Sequence, residues 1–401
     1  MQWLMIACSI TAGVAGESRR PGYYEFDFAA AKPLAPGPYA GSFGFDFGST
    51  ATNESGGGLT CDRHYFLSAA VPEGNSLVTA TFGDPSRATT NTVKAECRRL
   101  MVEHLVTQPG EFVTRSFVVN TRTPDYPGGR VRLKPRERVN EMVTWDDKLT
   151  LEFSGTRPVL RALRIEPATN VTTLFLAGDS TVCDQPVAPW NSWGQMLPRF
   201  FGPGVAVANY AESGESLRTS LAAHRFDKIF SVARPGDFLF VQFGHNDMKD
   251  QATNALEVYR VELEKVVART RSQGVTPVLV TSMERKAGIG GNTLAGYPDA
   301  MRSVARDHGV ALIDLNVASL ALYRALGADL PSAFQDGTHH NDYGSYELAK
   351  CVVEGIRANQ LALARKLASD VTLFNPAKPD DPRAFYLPES PVQINIKPEG
   401  N

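Results

Sequence analysis

The run Thr173-Leu-Phe-Leu-Ala-Gly-Asp-Ser-Thr181 decides the fold of the second half of the chain. It opens with a short apolar stretch, 173–177, and ends in a polar turn. Four similar apolar runs follow it, at 204–209, 237–243, 276–281 and 310–314. Near-continuous apolar runs of this length are typical of strands that are covered on both faces. Segments with helical spacing lie between or after them, at 255–271, 297–308, 316–326 and 342–358. This alternation predicts an α/β domain with a parallel sheet between two helical layers.

The first half of the chain has a different pattern of apolar and polar residues. Alternation of apolar and polar residues, which marks half-buried strands, occurs at 23–28, 44–47, 76–82, 112–119 and 148–153. Turns rich in Gly and Pro separate these runs, and helical periodicity is almost absent. We therefore predict an all-β antiparallel sandwich over residues 17–168, an α/β domain over 169–370 and a Pro-rich tail over 371–401.

Composition narrows the class of protein. The 401 residues are 43% hydrophobic and 21% charged, with a formal net charge of −2, so neither nucleic acid nor an anionic membrane is expected as a partner. No later stretch reaches the ~20 apolar residues of a membrane span. Residues 1–16 resemble the back half of a secretory signal peptide, which predicts a secreted or periplasmic protein. The alternatives are a disordered apolar start and lipid attachment at Cys8.

Five cysteines are present. Export would permit disulfides, and Cys61 and Cys97 share the first half, so a bond between them is left open. Cys183 and Cys351 are expected to be reduced and partly buried. Because no Cys-x-x-Cys pair occurs, a structural zinc site is not expected.

Three polar runs fall at the ends of predicted strands. Ser180 follows the first predicted strand of the α/β domain, at 173–177. Asn246 lies in Phe243-Gly-His-Asn-Asp247 at the end of the third predicted strand, at 237–243. Asp336-Gly-Thr-His339 precedes the last predicted helix. Each run alone is also an ordinary turn or helix cap. Together they supply a nucleophile, an amide donor for an oxyanion and an Asp that can orient a histidine. The carboxyl ends of parallel strands meet at one edge of the sheet, so we expect these groups to form one acyl-transfer site.

The adjacent histidines 339 and 340 also raise the question of metal binding. Neighbouring side chains point in different directions, and no third ligand stands at a familiar spacing. We therefore expect no metal and no cofactor.

The blocks Gly178-Asp-Ser180, Gly214, Gly244-His-Asn246 and Asp336-Gly-Thr-His339 resemble the four blocks of the SGNH (GDSL) hydrolase superfamily. The fuller runs around them are closer to its rhamnogalacturonan acetylesterase branch. Phe45-Asp-Phe-Gly48 and Trp145-Asp-Asp-Lys-Leu-Thr150 resemble the β-sandwich module that precedes this domain in bacterial members. The resemblance implies a flavodoxin-like three-layer catalytic domain behind a galactose-binding-like sandwich.

The resemblance also implies roles for individual residues. Ser180 would be the nucleophile, His339 the general base and Asp336 its orienting partner. The backbone amides of Ser180 and Gly214 and the side chain of Asn246 would form the oxyanion hole. The implied reaction is removal of acetyl groups from pectic polysaccharide, so the expected partner is an acetylated polysaccharide or oligosaccharide.

Other residues near the strand ends are weaker candidates for substrate binding. They are Trp190, Glu284, Arg285 and His245. His245 is expected to support the site rather than to bind substrate directly. Trp193 is expected to be a core residue at the start of a helix. Three alternative functions stay open: a lipase or thioesterase of the same superfamily, a deacetylase of another polysaccharide such as xylan, and a non-catalytic carbohydrate-binding protein. The sandwich could bind polysaccharide or shape the rim of the active site, and the second is favoured because no aromatic row stands out.

Overall fold

The computed structural model describes residues 20–30, 36–54, 56–139, 142–391 and 397–399. The expected signal segment, 1–16, and Cys8 lie outside these ranges. Within the described part of the chain, no helix combines the length and apolarity needed to cross a bilayer.

The first half forms an antiparallel β-sandwich, which confirms that prediction. Strands β2, β5, β12, β7 and β8 pair in that order in one sheet, and β9, β6, β13, β4 and β3 form the facing layer, with β1 also paired to β13. Phe28, Phe82 and Phe153 are buried between the two layers. The strands are β1 Tyr24–Asp27, β2 Phe43–Phe45, β3 Thr52–Glu54, β4 Gly58–Thr60, β5 His64–Ala70, β6 Gly74–Phe82, β7 Thr89–Ala95, β8 Arg99–Thr107, β9 Val113–Thr121, β10 Asp125–Tyr126, β11 Gly129–Arg130, β12 Lys148–Ser154 and β13 Val159–Pro167.

The second half is an α/β domain whose central strands are parallel and run in the order β19-β18-β17-β14-β16. Its strands are β14 Thr172–Gly178, β15 Trp190–Asn191, β16 Val205–Asn209, β17 Phe238–Gln242, β18 Thr276–Val280, β19 Ala311–Ile313 and β20 His340–Asn341. Its helices are α1 Trp193–Met196, α2 Leu217–Ala222, α3 Arg225–Val232, α4 Ala255–Ser272, α5 Tyr297–Asp307, α6 Leu315–Leu326 and α7 Asp342–Ala358. The five predicted strands and four predicted helices are confirmed, whereas the short helices α1, α2 and α3 were not predicted.

Helices cover both faces of this parallel sheet. Alternate side chains of β14 enter opposite cores: Leu174 and Leu176 pack with α1, α6 and α7, whereas Phe175 and Ala177 pack with α2 to α5. Burial of both faces explains why the strands carry apolar residues at successive positions rather than at every second one. The sheet therefore presents only its ends to solvent, and the polar runs that follow the strands collect at the carboxyl end.

The two halves share one continuous sheet, which the sequence patterns did not predict. Edge strand β16 pairs in parallel with edge strand β9 of the sandwich through Ala206 with Val118 and Val207 with Val119. The pairing produces a sheet of 11 strands and satisfies backbone groups that two exposed edges would leave open. The sandwich is consequently fixed in orientation relative to the α/β domain.

Cys61 and Cys97 do not pair, so the disulfide left open above is absent; both are free, as are Cys183 and Cys351. Cys97 packs with Met142 and Val143, and Cys61 lies against the core of the sandwich, in a different cluster. Burial raises the pKa of the Cys97 thiol to about 12, which keeps it protonated and unreactive.

The Pro-rich tail packs back on the sandwich. Lys94 of β7 donates to the carbonyl of Pro388 at 2.5 Å, and the Ser390 hydroxyl donates to Glu152 of β12 at 2.5 Å. These buried contacts place residues 388–390 of the tail on strands β7 and β12 of the sandwich.

Candidate active site

Ser180 lies in the turn that follows β14. The amides of Val182 and Cys183 both donate to the Asp179 carbonyl at 3.0 Å, so the chain turns sharply directly behind the strand. Gly178 is required there because a Cβ would lie 2.5 Å from the Val182 side chain and 2.9 Å from the Gln242 carbonyl. The serine hydroxyl is thereby presented at the carboxyl end of the sheet, where ligands bind in open α/β folds.

The structure brings Ser180, His339 and Asp336 into one chain of hydrogen bonds. The Ser180 Oγ lies 2.8 Å from His339 Nε2, and His339 Nδ1 lies 2.8 Å from Asp336 Oδ2. The other Asp336 oxygen accepts the backbone amides of Thr338 and His339 at 2.7 and 2.6 Å. These bonds fix the orientation of the carboxylate and, through it, of the imidazole.

The Asp336 carboxylate is held in its ionised form. Partial burial raises its pKa, but the hydrogen bonds and electrostatic attraction of His339 and the amide of Thr338 outweigh burial and bring the pKa well below the usual range. An ionised Asp336 accepts the Nδ1 proton of His339, which leaves Nε2 as the acceptor facing the Ser180 hydroxyl. This is the arrangement that a general base requires.

The three oxyanion-hole candidates lie on segments that are bonded to one another. The amide of Glu212 donates to the Gly178 carbonyl at 3.1 Å, which ties the loop containing Gly214 to the Ser180 turn. Asn246 Nδ2 donates to the Glu215 carbonyl at 3.0 Å, which ties the third block to the same loop. Gly214 has a φ of +73°, a left-handed conformation that favours glycine.

A buried carboxylate–imidazole pair supports the Ser180 turn. Asp179 accepts the Thr181 amide and hydroxyl at 2.9 and 2.7 Å through Oδ1, and its Oδ2 lies 3.1 Å from His245 Nδ1. His245 Nε2 lies 3.0 Å from the Met283 carbonyl. Burial raises the pKa of Asp179, but His245 and Thr181 lower it below its ordinary value. His245 is 1% exposed, so it supports the turn from beneath and does not face a substrate.

Charged residues of the sandwich half brace residues 211–216, which contain Gly214 and form the proposed oxyanion loop, and the start of helix α3. The sequence motifs did not reveal these charged residues. Arg136 Nε lies 3.0 Å from Glu212 Oε1, and Glu137 accepts two hydrogen bonds from Arg225 at 2.9 and 2.6 Å. All four side chains are almost fully buried. They come from segments about 80 residues apart and meet only because the sandwich packs on the α/β domain. The charged run Lys134-Pro-Arg-Glu-Arg138 was the signal in the sequence that could have drawn attention to them.

The remaining substrate-binding candidates occupy different places. Trp190 is half-buried in β15, which pairs with β20 beside His339, so it lies at the rim of the site. Arg285 donates to the carbonyl of His245 at 3.2 Å and contacts the Thr338 hydroxyl, which places it at the rim as well. Glu284 is 2% exposed and accepts the Arg285 amide at 2.9 Å, so its carboxylate does not line a groove.

Trp193 is a core residue, as favoured above. It is 1% exposed, and its indole N–H donates to Gln242 Oε1 at 2.8 Å. The indole therefore satisfies its one donor inside the protein and has no surface to offer a sugar.

The two adjacent histidines have separate partners. His340 Nε2 lies 2.8 Å from the Tyr323 hydroxyl, and burial lowers the pKa of His340 to about 3, so it is neutral. Among the residues that the structure describes, no three His, Cys, Asp or Glu side chains are grouped so as to hold a metal ion.

Comparison with known proteins identifies the family of the chain. Residues 176–345 match the model of the GDSL-like lipase/acylhydrolase family. The rhamnogalacturonan acetylesterase RhgT of Bacillus subtilis is 36% identical over 218 residues, which cover 49% of this chain and 94% of that protein. The uncharacterized esterase YxiM of Bacillus subtilis is 25% identical over 383 residues, covering 86% of this chain and 94% of YxiM. The crystal structure of YxiM covers 85% of this chain and 99% of its own, with 21% identity and a TM-score of 0.49.

Proposed function

The chain belongs to the GDSL-like lipase/acylhydrolase family and is a carboxylic ester hydrolase, and we propose that it removes acetyl groups from rhamnogalacturonan. The observation that carries the proposal is the Ser180–His339–Asp336 chain of hydrogen bonds, with both links at 2.8 Å. The choice of substrate is supported by the 36% identity to RhgT, which extends over nearly the whole length of that acetylesterase.

The proposed reaction has two acyl-transfer steps. His339 Nε2 accepts the proton of the Ser180 hydroxyl as Oγ attacks the acetyl carbonyl carbon. The negative charge that develops on the carbonyl oxygen is met by the amides of Ser180 and Gly214 and by the Asn246 side chain. The sugar hydroxyl leaves with the proton from His339, and an acetyl group remains on Ser180. Water then repeats the sequence, releases acetate and restores Ser180.

Asp336 has a positioning role in this scheme. Its ionised carboxylate keeps the proton of His339 on Nδ1 and stabilises the imidazolium that forms transiently. Its two backbone hydrogen bonds leave it little freedom to rotate away. The geometry is already set before substrate binds, which removes a reorganisation cost from the chemical step.

We infer that the β-sandwich shapes the active-site rim. Support comes from Arg136 and Glu137, which lie in the sandwich half and form buried ion pairs with Glu212 on the oxyanion loop and with Arg225 just beyond it. The continuous sheet through β9 and β16 holds the two halves in a fixed relation.

Export is proposed on the apolar run at the start of the chain. Residues 1–16 lie outside the described residues, so the proposal rests on their sequence alone. Expression with and without these residues, followed by assay of esterase in the medium and periplasm, tests it. Equal retention of both proteins in the cytoplasm would contradict export.

The experiment that tests the substrate is acetate release from acetylated rhamnogalacturonan, homogalacturonan, xylan and mannan. The expected result is the highest kcat/KM on rhamnogalacturonan, with release abolished in Ser180→Ala. A clear preference for xylan or mannan would refute the assignment to pectin while leaving the esterase chemistry intact. Faster turnover of long-chain esters would select a lipase instead.

A further inference from the structure

Lys134 places a positive charge beside the proposed oxyanion hole. Its Nζ donates to the Ser213 carbonyl at 2.5 Å and lies 3.1 Å from the position that a Cβ on Gly214 would occupy. The Lys134 side chain keeps 24% of its surface exposed, unlike the buried arginines behind it. The sandwich half therefore contributes a solvent-accessible cation at the edge of the proposed acyl-binding site.

A carboxylate of the same chain already occupies the space next to this cation. Glu399 Oε2 lies 3.0 Å from Lys134 Nζ and 2.8 Å from the same Cβ position on Gly214. The Glu399 amide donates to Ser213 Oγ at 2.7 Å. The carboxylate is thus held directly over the Gly214 backbone, where the sugar of a bound ester would come close.

The same short segment, 397–399, also reaches the opposite side of the site. Lys397 Nζ lies 5.6 Å from the centre of the Trp190 ring, and Trp190 pairs with Asn341, two residues from His339. The segment therefore spans the rim from the catalytic histidine to Gly214. Ser180 and His339 are each only 1% exposed.

The other carboxylates near Lys134 are already paired with arginines. Glu215 Oε1 lies 3.9 Å from Lys134 Nζ and 3.8 Å from Arg225 Nε, and the Glu215 side chain is 4% exposed. Glu212 lies 3.0 Å from Arg136. Glu399, at 54% side-chain exposure, is the partner that an incoming anion can replace without uncovering a buried charge.

The far rim carries positive charge as well. Arg285 contacts the carbonyl of His245 and the Thr338 hydroxyl. Lys249 lies in the short turn Asp247–Lys249 that directly follows Asn246. A rim with cations on two sides complements a polymer that carries carboxylates along its length, and it does not complement a neutral one.

We propose that Lys134 binds the carboxylate of a uronate sugar close to the acetylated position, and that Glu399 occupies this subsite until the substrate displaces it. The inference rests on the proposed function for the acetylated polymer, since rhamnogalacturonan contains galacturonate. It identifies a specificity-determining residue in the sandwich half, outside the four sequence blocks. It also gives the Glu399 contact a role as a competitor of the substrate.

The test compares an acidic substrate with a neutral one. We would measure kcat/KM on acetylated rhamnogalacturonan and on acetylated xylan for the full chain, for Lys134→Met and for Lys134→Arg. The exposed Lys265 on α4 gives the control variant Lys265→Met. Loss of one charge-assisted hydrogen bond is expected to lower the ratio of the two kcat/KM values about tenfold in Lys134→Met. Lys134→Arg should restore most of the ratio, and the control should not change it.

Glu399→Gln tests the competition. As a single substitution, Glu399→Gln is expected to lower KM on acetylated rhamnogalacturonan about threefold. Combined with Lys134→Met, it is expected to have no further effect on KM. An equal loss on both polymers in Lys134→Met would mean that Lys134 only holds the Ser213 carbonyl, and would overturn the inference.

A second readout separates this inference from the proposed function. Unacetylated galacturonate oligomers should inhibit hydrolysis of p-nitrophenyl acetate by the natural chain, whereas neutral galactose oligomers should not. The inhibition should weaken about tenfold in Lys134→Met. If rhamnogalacturonan proves a poor substrate but this inhibition is seen, the proposed function fails and the uronate subsite stands. If galacturonate and galactose oligomers behave alike, the subsite is refuted whatever the substrate.

Discussion

Replacing Glu137 by Gln removes the charge from a buried ion pair that braces the oxyanion loop. Glu137 accepts hydrogen bonds from Arg225 at 2.9 and 2.6 Å and from the Trp145 indole at 2.8 Å. The Arg225 and Glu137 side chains are 0% and 1% exposed. The substitution keeps the shape of the side chain but leaves the Arg225 guanidinium without its bidentate carboxylate.

The direction of the effect follows from the pKa of Glu137. Burial alone would raise this pKa, but the charge and hydrogen bonds of Arg225 lower it from 4.5 to about 2. A lowered pKa means that the folded state stabilises the ionised form. Removing one partner of a buried pair typically costs about 3–5 kcal/mol, and we expect a loss at the lower end of this range because glutamine keeps the shape of the side chain.

The pH dependence has a definite sign. Because the pKa of Glu137 is lowered on folding, its contribution to stability is present in full above about pH 4.5 and is lost as the pH falls toward 2. Glutamine does not titrate. The difference in free energy of unfolding between the natural chain and Glu137→Gln should therefore be about 3 kcal/mol at pH 7 and should shrink as the pH falls below 4.5.

The assay is urea unfolding at pH 7, 5 and 3.5, with Asp125→Asn as the control. Asp125 also forms a two-bond pair with an arginine, Arg130, at 2.8 and 3.0 Å, but both side chains are more than 60% exposed. Exposed pairs contribute about 1 kcal/mol or less, so the control should lose little. Equal losses in the two variants, or a Glu137→Gln loss that does not shrink below pH 4.5, would refute the reasoning.

Three further predictions concern catalysis. Asn246→Ala should lower kcat on p-nitrophenyl acetate by about 10²–10³-fold while KM changes little, because an oxyanion donor acts in the transition state; a change in KM alone would contradict that role. Asp336→Asn should lower kcat on the order of 10⁴-fold in a steady-state assay, since the amide favours the wrong tautomer of His339, and activity within tenfold of the natural chain would count against the assignment. Gly214→Ala places a methyl group 2.8 Å from Glu399 Oε2 in a left-handed conformation, so calorimetry should show a loss of about 1 kcal/mol and kcat should fall; unchanged stability and kcat would show that the loop tolerates a Cβ.

Sequence patterns predicted the fold where local periodicity is strong. Helix α7 was expected over 342–358, and the structure has it at Asp342–Ala358. Strand β14 differs from its expected range by one residue at each end. The pairing of β9 with β16 could not be predicted from local sequence. Each strand has the same hydrophobic pattern as the other strands of its own half, and only the packing of the two halves brings the edges of these strands together.

The same division holds for the candidate site. Ser180, Asn246 and His339 could be placed at one edge of the sheet because each follows or adjoins a predicted strand end. Lys134 and Glu137 could not, because their partners, Ser213 and Arg225, are about 80 residues away and meet them only when the sandwich docks.

Local sequence also misled in one respect. Glu284 follows a strand end just as Asn246 does, yet its carboxylate is buried by the turn at 286–290. A Cβ on Gly288 would collide with the Glu284 side chain, which shows how closely that turn covers it. Position at a strand end therefore indicates which edge of the sheet a residue occupies, but the following loop decides whether its side chain reaches the opening.

Covalent labelling decides whether Ser180 is the nucleophile. The full chain would be treated with a fluorophosphonate and digested, and the modified peptide identified by mass spectrometry. The account predicts a single adduct on Ser180, formed rapidly in the natural chain, absent in Ser180→Ala and greatly slowed when His339 is replaced by Ala. Rapid labelling at another residue, or p-nitrophenyl acetate hydrolysis by Ser180→Ala at the natural rate, would contradict the account.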